Sequence, residues 1–143
     1  NMLGLVELVD VDSLTDSFGA DSIDELRKAF LARLKNWARA DDKWRVLDDN
    51  RFCVIFKGVS SQAELELATS KLSRLFTAPL PFKNEQVPLQ IRAGFVALGS
   101  SNSDINVAVR QAEKALRRAR NSSQFFQLYD AQSEKMRSTN ERW

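Results

Sequence analysis

These 143 residues contain no histidine. The commonest general base and the commonest transition-metal ligand are therefore missing, and Ser-His-Asp, Cys-His and His-Glu-x-x-His chemistries are excluded. There is one cysteine, Cys53. Set inside the apolar run 52–56, it reads as a buried core thiol rather than half of a bridge, which fits a reducing compartment. No apolar stretch approaches the ~18 residues that a membrane span needs, and no signal peptide precedes Met2. The expectation is a soluble, cytoplasmic domain that does not itself touch a membrane, whether or not a longer parent is anchored in one. An excess of one charge is lacking too: 21 Lys and Arg against 19 Asp and Glu leave +2. Composition thus gives no reason to expect a nucleic-acid partner.

What is present suits one globular domain, long enough to bury a core without disulfides or structural metal. Residues 3–9, LGLVELV, form a nearly continuous apolar run and read as a central strand. Ser22-x-x-Glu25 has the pattern of a capping box, and Ile23, Leu26, Phe30, Leu34 and Trp37 then recur at helical spacing as far as residue 38. A four-residue polar turn, Asp48-Asp49-Asn50-Arg51, separates an apolar stretch from the run 52–56. It reads as a hairpin, yet it lacks the Asn-Gly or Asp-Gly pair that usually supplies positive φ. Ser61-x-x-Glu64 opens a helix bearing Leu65, Ala68, Leu72 and Leu75 on one face, and Pro79 and Pro81 stop it. Residues 88–98 read as a strand. Residues 104–120 read as a helix with a narrow stripe of Ile105, Ala108, Ala112, Ala115 and Ala119, and 124–130 as a closing strand. The order is β-α-β-β-α-β-α-β, of α/β class.

Several groups invite a functional reading beside a plainer one. Asp10 and Asp12 have the spacing of metal ligands, or form a strand-end pair capping the next loop. Arg39 and Asp42 place a forked donor three residues from an acceptor, or simply close a helix whose C-terminal dipole favours a cation. Arg110, Lys114 and Arg117 make a basic stripe, which without interleaved aromatics reads as a solvated face and not as a nucleic-acid site. Trp37 and Trp44 sit at apolar positions and read as core or interface.

Taken together and in order, these features resemble the GGDEF domain of diguanylate cyclases. They are Asp10-Val11-Asp12 after the first strand, Asp24-Glu25-Leu26 in the first helix, Arg39-Ala40-Asp41-Asp42 five residues ahead of the hairpin, Asp48-Asp49-Asn50-Arg51-Phe52 at its tip, Gly94, and AEKALRRAR at 112–120. The resemblance covers residues 3–130. It implies an α/β sandwich of nucleotidyl-cyclase type, with a central, mostly antiparallel five-stranded sheet flanked by helices over residues 1–130. Residues 131–143 would then be a polar linker towards a missing C-terminal domain.

The resemblance also explains the odd turn as a signature loop whose chemistry has been removed. In the family, two glycines let the backbone approach GTP, the next acid helps to hold Mg²⁺ or Mn²⁺, and the first Asp of the Asp-x-Asp pair, here Asp10, completes the metal site. Here the glycines are Asp48 and Asp49. A carboxylate ~4 Å from a phosphate oxygen is repelled by roughly 4 kcal/mol at an effective dielectric near 20. Asn50 stands where the metal-binding acid belongs and offers one neutral oxygen. Arg51 puts a cation at the next acidic position, placed to pair with Asp48 or Asp49, and Phe52 ends the motif. The guanine-recognition segment is shortened to Leu14-Thr15-Asp16. Arg120 matches the phosphate-contacting Lys, but the Gly-Arg after it is Ser123-Gln124.

The resemblance thus implies a domain without cyclase activity and without its own cofactor, the Mg²⁺ usual for the family not being bound and Asp10 a vestige. It would be a regulatory or dimerisation module, as a homodimer or beside a C-terminal EAL phosphodiesterase domain, in bacterial cyclic di-GMP signalling. Two rivals are a sensor binding cyclic di-GMP through Arg39 and Asp42, the family's product-inhibition site, and a weakly active cyclase.

Overall fold

The computed structural model describes residues 1–48, 50–59, 61–99 and 104–130. Strand β1 (Met2–Val9) lies at the centre of a five-stranded sheet, flanked by β3 (Arg51–Phe56) and β6 (Gln90–Ala97), both antiparallel to it. β2 (Lys43–Asp48) forms one edge, antiparallel to β3, and β7 (Phe126–Leu128) forms the other, parallel to β6. The mostly antiparallel sheet expected from the resemblance is therefore present.

The alternation of β1 divides the core into two layers, since successive side chains of a strand leave on opposite faces. Met2, Val6 and Leu8 face a cluster with Ile23, Leu26, Phe30 and Leu34 of α2 (Ala20–Trp37) and Leu65, Leu72 and Phe76 of α3 (Gln62–Thr77). Leu3 and Leu5 face Ala108, Ala112 and Leu116 of α4 (Ile105–Asn121) together with Cys53. Each fully buried Leu or Phe of this kind stabilises the fold by about 1.5–3 kcal/mol. The alanine stripe lets α4 lie close on the sheet. At Gly94 the approach is so tight that an added Cβ would run into the Ala112 carbonyl oxygen and the Leu116 nitrogen.

The N-cap at Ser61 forms as expected: Ser61 Oγ accepts from Glu64 N at 3.2 Å and donates to Glu64 Oε1 at 3.1 Å. Arg33 of α2 closes the far end of α3, donating to the carbonyls of Leu75, Ala78 and Pro79. The first box does not form. α2 begins three residues earlier, after Gly19 (φ 86°), so Ser22 is a buried interior residue whose Oγ accepts from Lys83 Nζ at 2.8 Å. Gly19 turns the chain sharply out of a helix that was not among the expected elements, α1 (Val11–Phe18). A small hairpin, β4 (Leu80–Phe82) and β5 (Glu85–Val87), likewise follows the proline stop, turning through Lys83 and Asn84 with positive φ. The closing strand is shorter than expected, Phe126–Leu128, bonded along the edge of β6 from the Phe125 carbonyl to the Tyr129 nitrogen. Residues 131–143, read as a linker, lie outside the described residues.

Candidate functional site

The C-terminal end of β1 opens into a cavity of about 640 Å³. Asp10, Asp12, Asn50, Arg92 and Arg120 line it, and Glu7 lies in its wall. Asp10 leaves the sheet in a left-handed conformation (φ 60°, ψ 33°), and its carbonyl accepts from Leu14 N at 3.1 Å, starting α1. Its side chain makes no capping bond. Asp12 sits in the first turn of α1, where the helix dipole favours an acid.

The hairpin tip is tied down locally. Leu8 N donates to the Asn50 carbonyl at 2.9 Å, docking the tip on β1, and Asn50 N donates to Asp48 Oδ1 at 2.9 Å. The Asn50 side chain is turned to α2, where its Oδ1 accepts from Arg27 Nε at 3.0 Å. Asp49 lies outside the described residues. Arg51 does not pair with Asp48, which the sequence offered as a partner. Because Arg51 stands directly across from Glu7 in the β1–β3 register, its Nε lies 3.3 Å from Glu7 Oε2, and its Nη1 is 3.6 Å from Glu113 Oε1 on α4.

Glu7 is the residue that pattern reading passed over. Arg51 flanks it on β3 and Arg92 on β6, and Arg120 Nη1 reaches its Oε1 at 3.5 Å. Its Oε2 is buried and has the ion contact with Arg51 but no well-aligned hydrogen bond. A lone acid in the run LGLVELV was the available signal, since a charge on a central strand needs a partner on a neighbouring one.

This donor set does not suit a divalent cation. Hard cations take several oxygen ligands, preferably carboxylates. Here Asn50 supplies a neutral oxygen already engaged by a guanidinium, and Arg51 follows it. No group of three His, Cys, Asp or Glu side chains that could hold a metal is found among the described residues.

Arg39 and Asp42 do come together, but mainly with each other. Asp42 takes two side-chain bonds from Arg39, from Nε to Oδ2 at 3.2 Å and from Nη2 to Oδ1 at 3.1 Å. It also accepts from the backbone nitrogens of Arg39 and Lys57. Its side chain is 0% exposed, whereas that of Arg39 is 56% exposed. Burial pushes the Asp42 carboxyl upward, but the Arg39 side-chain bond, the backbone N–H groups and the Arg39 charge outweigh it and hold the group below its ordinary value. The pair clips the end of α2 to the end of β3, where Arg39 also donates to the Lys57 carbonyl at 2.8 Å. Nearby, Trp37 packs edge-on against Phe56 and donates to the Ala68 carbonyl. Trp44 stacks on Phe52 and is 44% exposed, with Lys35 over its ring.

The chain matches the profile of the family described as diguanylate cyclase, GGDEF domain, over residues 2–124. It belongs to that family. Its fold is similar to the GGDEF domain of TpbB, or YfiN, from Pseudomonas aeruginosa (TM-score 0.83, 16% identity, 96% of this chain and 81% of that one). It is also similar to an EAL/GGDEF domain protein from M. capsulatus (TM-score 0.80, 18% identity, 90% and 84%). A third likeness is to the GGDEF domain of DgcB from Caulobacter crescentus, determined in complex with c-di-GMP (TM-score 0.77, 12% identity, 90% and 75%). Among curated proteins, y4lL of Sinorhizobium fredii is 28% identical over 108 residues. That stretch is 76% of this chain and 13% of y4lL, so the chain spans about an eighth of that relative. No described helix of this GGDEF domain is long and apolar enough to cross a membrane.

Proposed function

We propose that this GGDEF domain does not synthesise cyclic di-GMP and acts as a regulatory module in a larger cyclic di-GMP signalling protein. The observation that carries this reading is the pair of cations at the hairpin tip. Arg27 engages Asn50, and Arg51 is engaged by Glu7. Two-metal phosphoryl transfer needs acids there to hold the ions that neutralise the triphosphate. The attached domain in this reading is an EAL phosphodiesterase, supported by the likeness to an EAL/GGDEF protein.

The test is incubation with GTP and Mg²⁺ or Mn²⁺ and chromatography of the products. No cyclic di-GMP is expected, and turnover at ordinary cyclase rates would overturn the reading and favour its rival, a weakly active cyclase. Asp48→Gly, Asp49→Gly and Asn50→Glu together are expected not to rescue activity fully, because the guanine-recognition segment is also shortened and Arg27 and Arg51 remain beside the hairpin tip. The regulatory part is tested separately, by joining the domain to its natural neighbour and deleting residues 1–130. An unchanged neighbour activity and oligomeric state would make the domain a passive spacer.

The alternative role, a cyclic di-GMP sensor at Arg39 and Asp42, has the exposed Arg39 in its favour and the sealed Asp42 against it. Calorimetry with cyclic di-GMP decides it. Binding that Arg39→Ala abolishes would establish the sensor.

A further inference from the structure

The near-neutral net charge conceals two opposed faces. From Asp10 to Glu25 the chain carries six carboxylates and no Lys or Arg, and all six residues are exposed. Asp12 and Asp16 lie four apart on α1, and Asp21 and Glu25 four apart on α2. In this run only Asp24 makes an ion pair among the described residues, with Arg27. On α4 the exposed side chains of Arg110, Lys114 and Arg117 follow one another at spacings of four and three, and none of the three has an ion pair among the described residues. Like charges at these spacings repel along a helix, so each face is electrostatically unfavourable in isolation. The faces also belong to opposite layers: α1 and α2 pack on the Val6 and Leu8 side of the sheet, α4 on the Leu3 and Leu5 side.

We infer that the basic face of α4 docks on the acidic face of α1 and α2 of a second copy of this chain. The complementary partner for each face is present on the same molecule, and a net charge of +2 leaves little overall repulsion between copies. Because the two faces point away from each other, one contact leaves a free face of each sign at the ends of the pair. Association is therefore head-to-tail and does not close as a two-fold dimer. It needs neither nucleotide nor metal, so it stands or falls independently of the catalytic reading.

The experiment is sedimentation equilibrium of the 143-residue chain over a range of concentrations reaching about 1 mM, at about 0.02 M and about 0.5 M salt. At low salt the average mass should climb with concentration past that of a dimer, and at high salt it should return to the monomer. Two neutralised variants sharpen the test. Arg110→Gln, Lys114→Gln and Arg117→Gln remove the basic face, and Asp16→Asn, Asp21→Asn and Glu25→Gln remove the acidic one, all at exposed positions. Each variant alone should stay monomeric, and an equimolar mixture should form a one-to-one complex and stop there. Wild-type protein that is monomeric at low salt, or variants that associate as the wild type does, would overturn the inference. So would a monomeric wild type that co-sediments with anionic phosphatidylserine vesicles through Arg110, Lys114 and Arg117, since the stripe would then face lipid.

Discussion

Arg51 of β3 lies directly opposite Glu7 of β1, its Nε 3.3 Å from Glu7 Oε2. A cation therefore occupies the place where the GGDEF motif has its second acid, and the compensating acid comes from the strand beside it. Arg120 shares the same carboxylate. Glu7 thus acts as a built-in anion among Arg51, Arg92 and Arg120 in the wall of the cavity at the end of β1.

Glu7→Gln is expected to cost on the order of 1–3 kcal/mol, because it leaves Arg51, Arg92 and Arg120 close together without their main counter-charge. Urea unfolding measures the loss. The same variant should bind inorganic pyrophosphate by calorimetry where the wild type does not.

Arg39→Ala should destabilise the domain by about 2 kcal/mol, since the buried Asp42 keeps its backbone donors but loses its counter-ion. The pH dependence follows from the depressed Asp42 carboxyl. Its stabilising contribution is fully present above the unfolded carboxyl value, near pH 4, and is lost as pH falls through the lower folded value. Thermal melts between neutral pH and about pH 3 should show that decline, and Arg39→Ala should flatten it.

Gly94→Ala should be more damaging than any exposed substitution. The added methyl meets α4 backbone at Ala112 and Leu116, which can yield only by lifting the helix off β6. A loss of about 3 kcal/mol or more is expected by urea unfolding. Gly58→Ala has open space around it but a φ of 80°, and should cost only about 1 kcal/mol.

Burial pushes the Cys53 thiol up to about 11, with the charge of Arg45 opposing weakly. A raised value means that stability is fully present below the unfolded thiol value, near pH 8.5, and is lost as pH rises towards 11. At pH 8 the native thiol should react with a disulfide reagent far more slowly than the urea-unfolded one.

Much of the fold was legible because its signals are local. Ile23, Leu26, Phe30 and Leu34 repeat at the helical period and are all buried, and Ser61 and Glu64 cap as their spacing implies. α1 was hidden because it is only eight residues long: Val11, Leu14 and Phe18 share the face that packs on the core, but the helical period runs through just about two turns before Gly19 ends it. The β4–β5 hairpin was hidden because Lys83 and Asn84 adopt positive φ without a glycine to announce it. The site was less legible than the fold for a related reason. Arg51 has acids two and three positions away in sequence, yet cross-strand register gives it Glu7. Arg27 meets Asn50 only because α2 lies over the hairpin tip, and no pattern within α2 encodes that.

The central position of β1 sets the order in which the domain can be assembled. Its eight residues are made before every other strand of the sheet, but their neighbours are β3, ending at Phe56, and β6, ending at Ala97. During synthesis this apolar strand must wait, with one edge open even after β3 has formed, until the residues through Ala97 have emerged. Such long-range pairing places folding in the slower class, about milliseconds to seconds. The interval before β6 arrives is when a nascent chain is most exposed to aggregation.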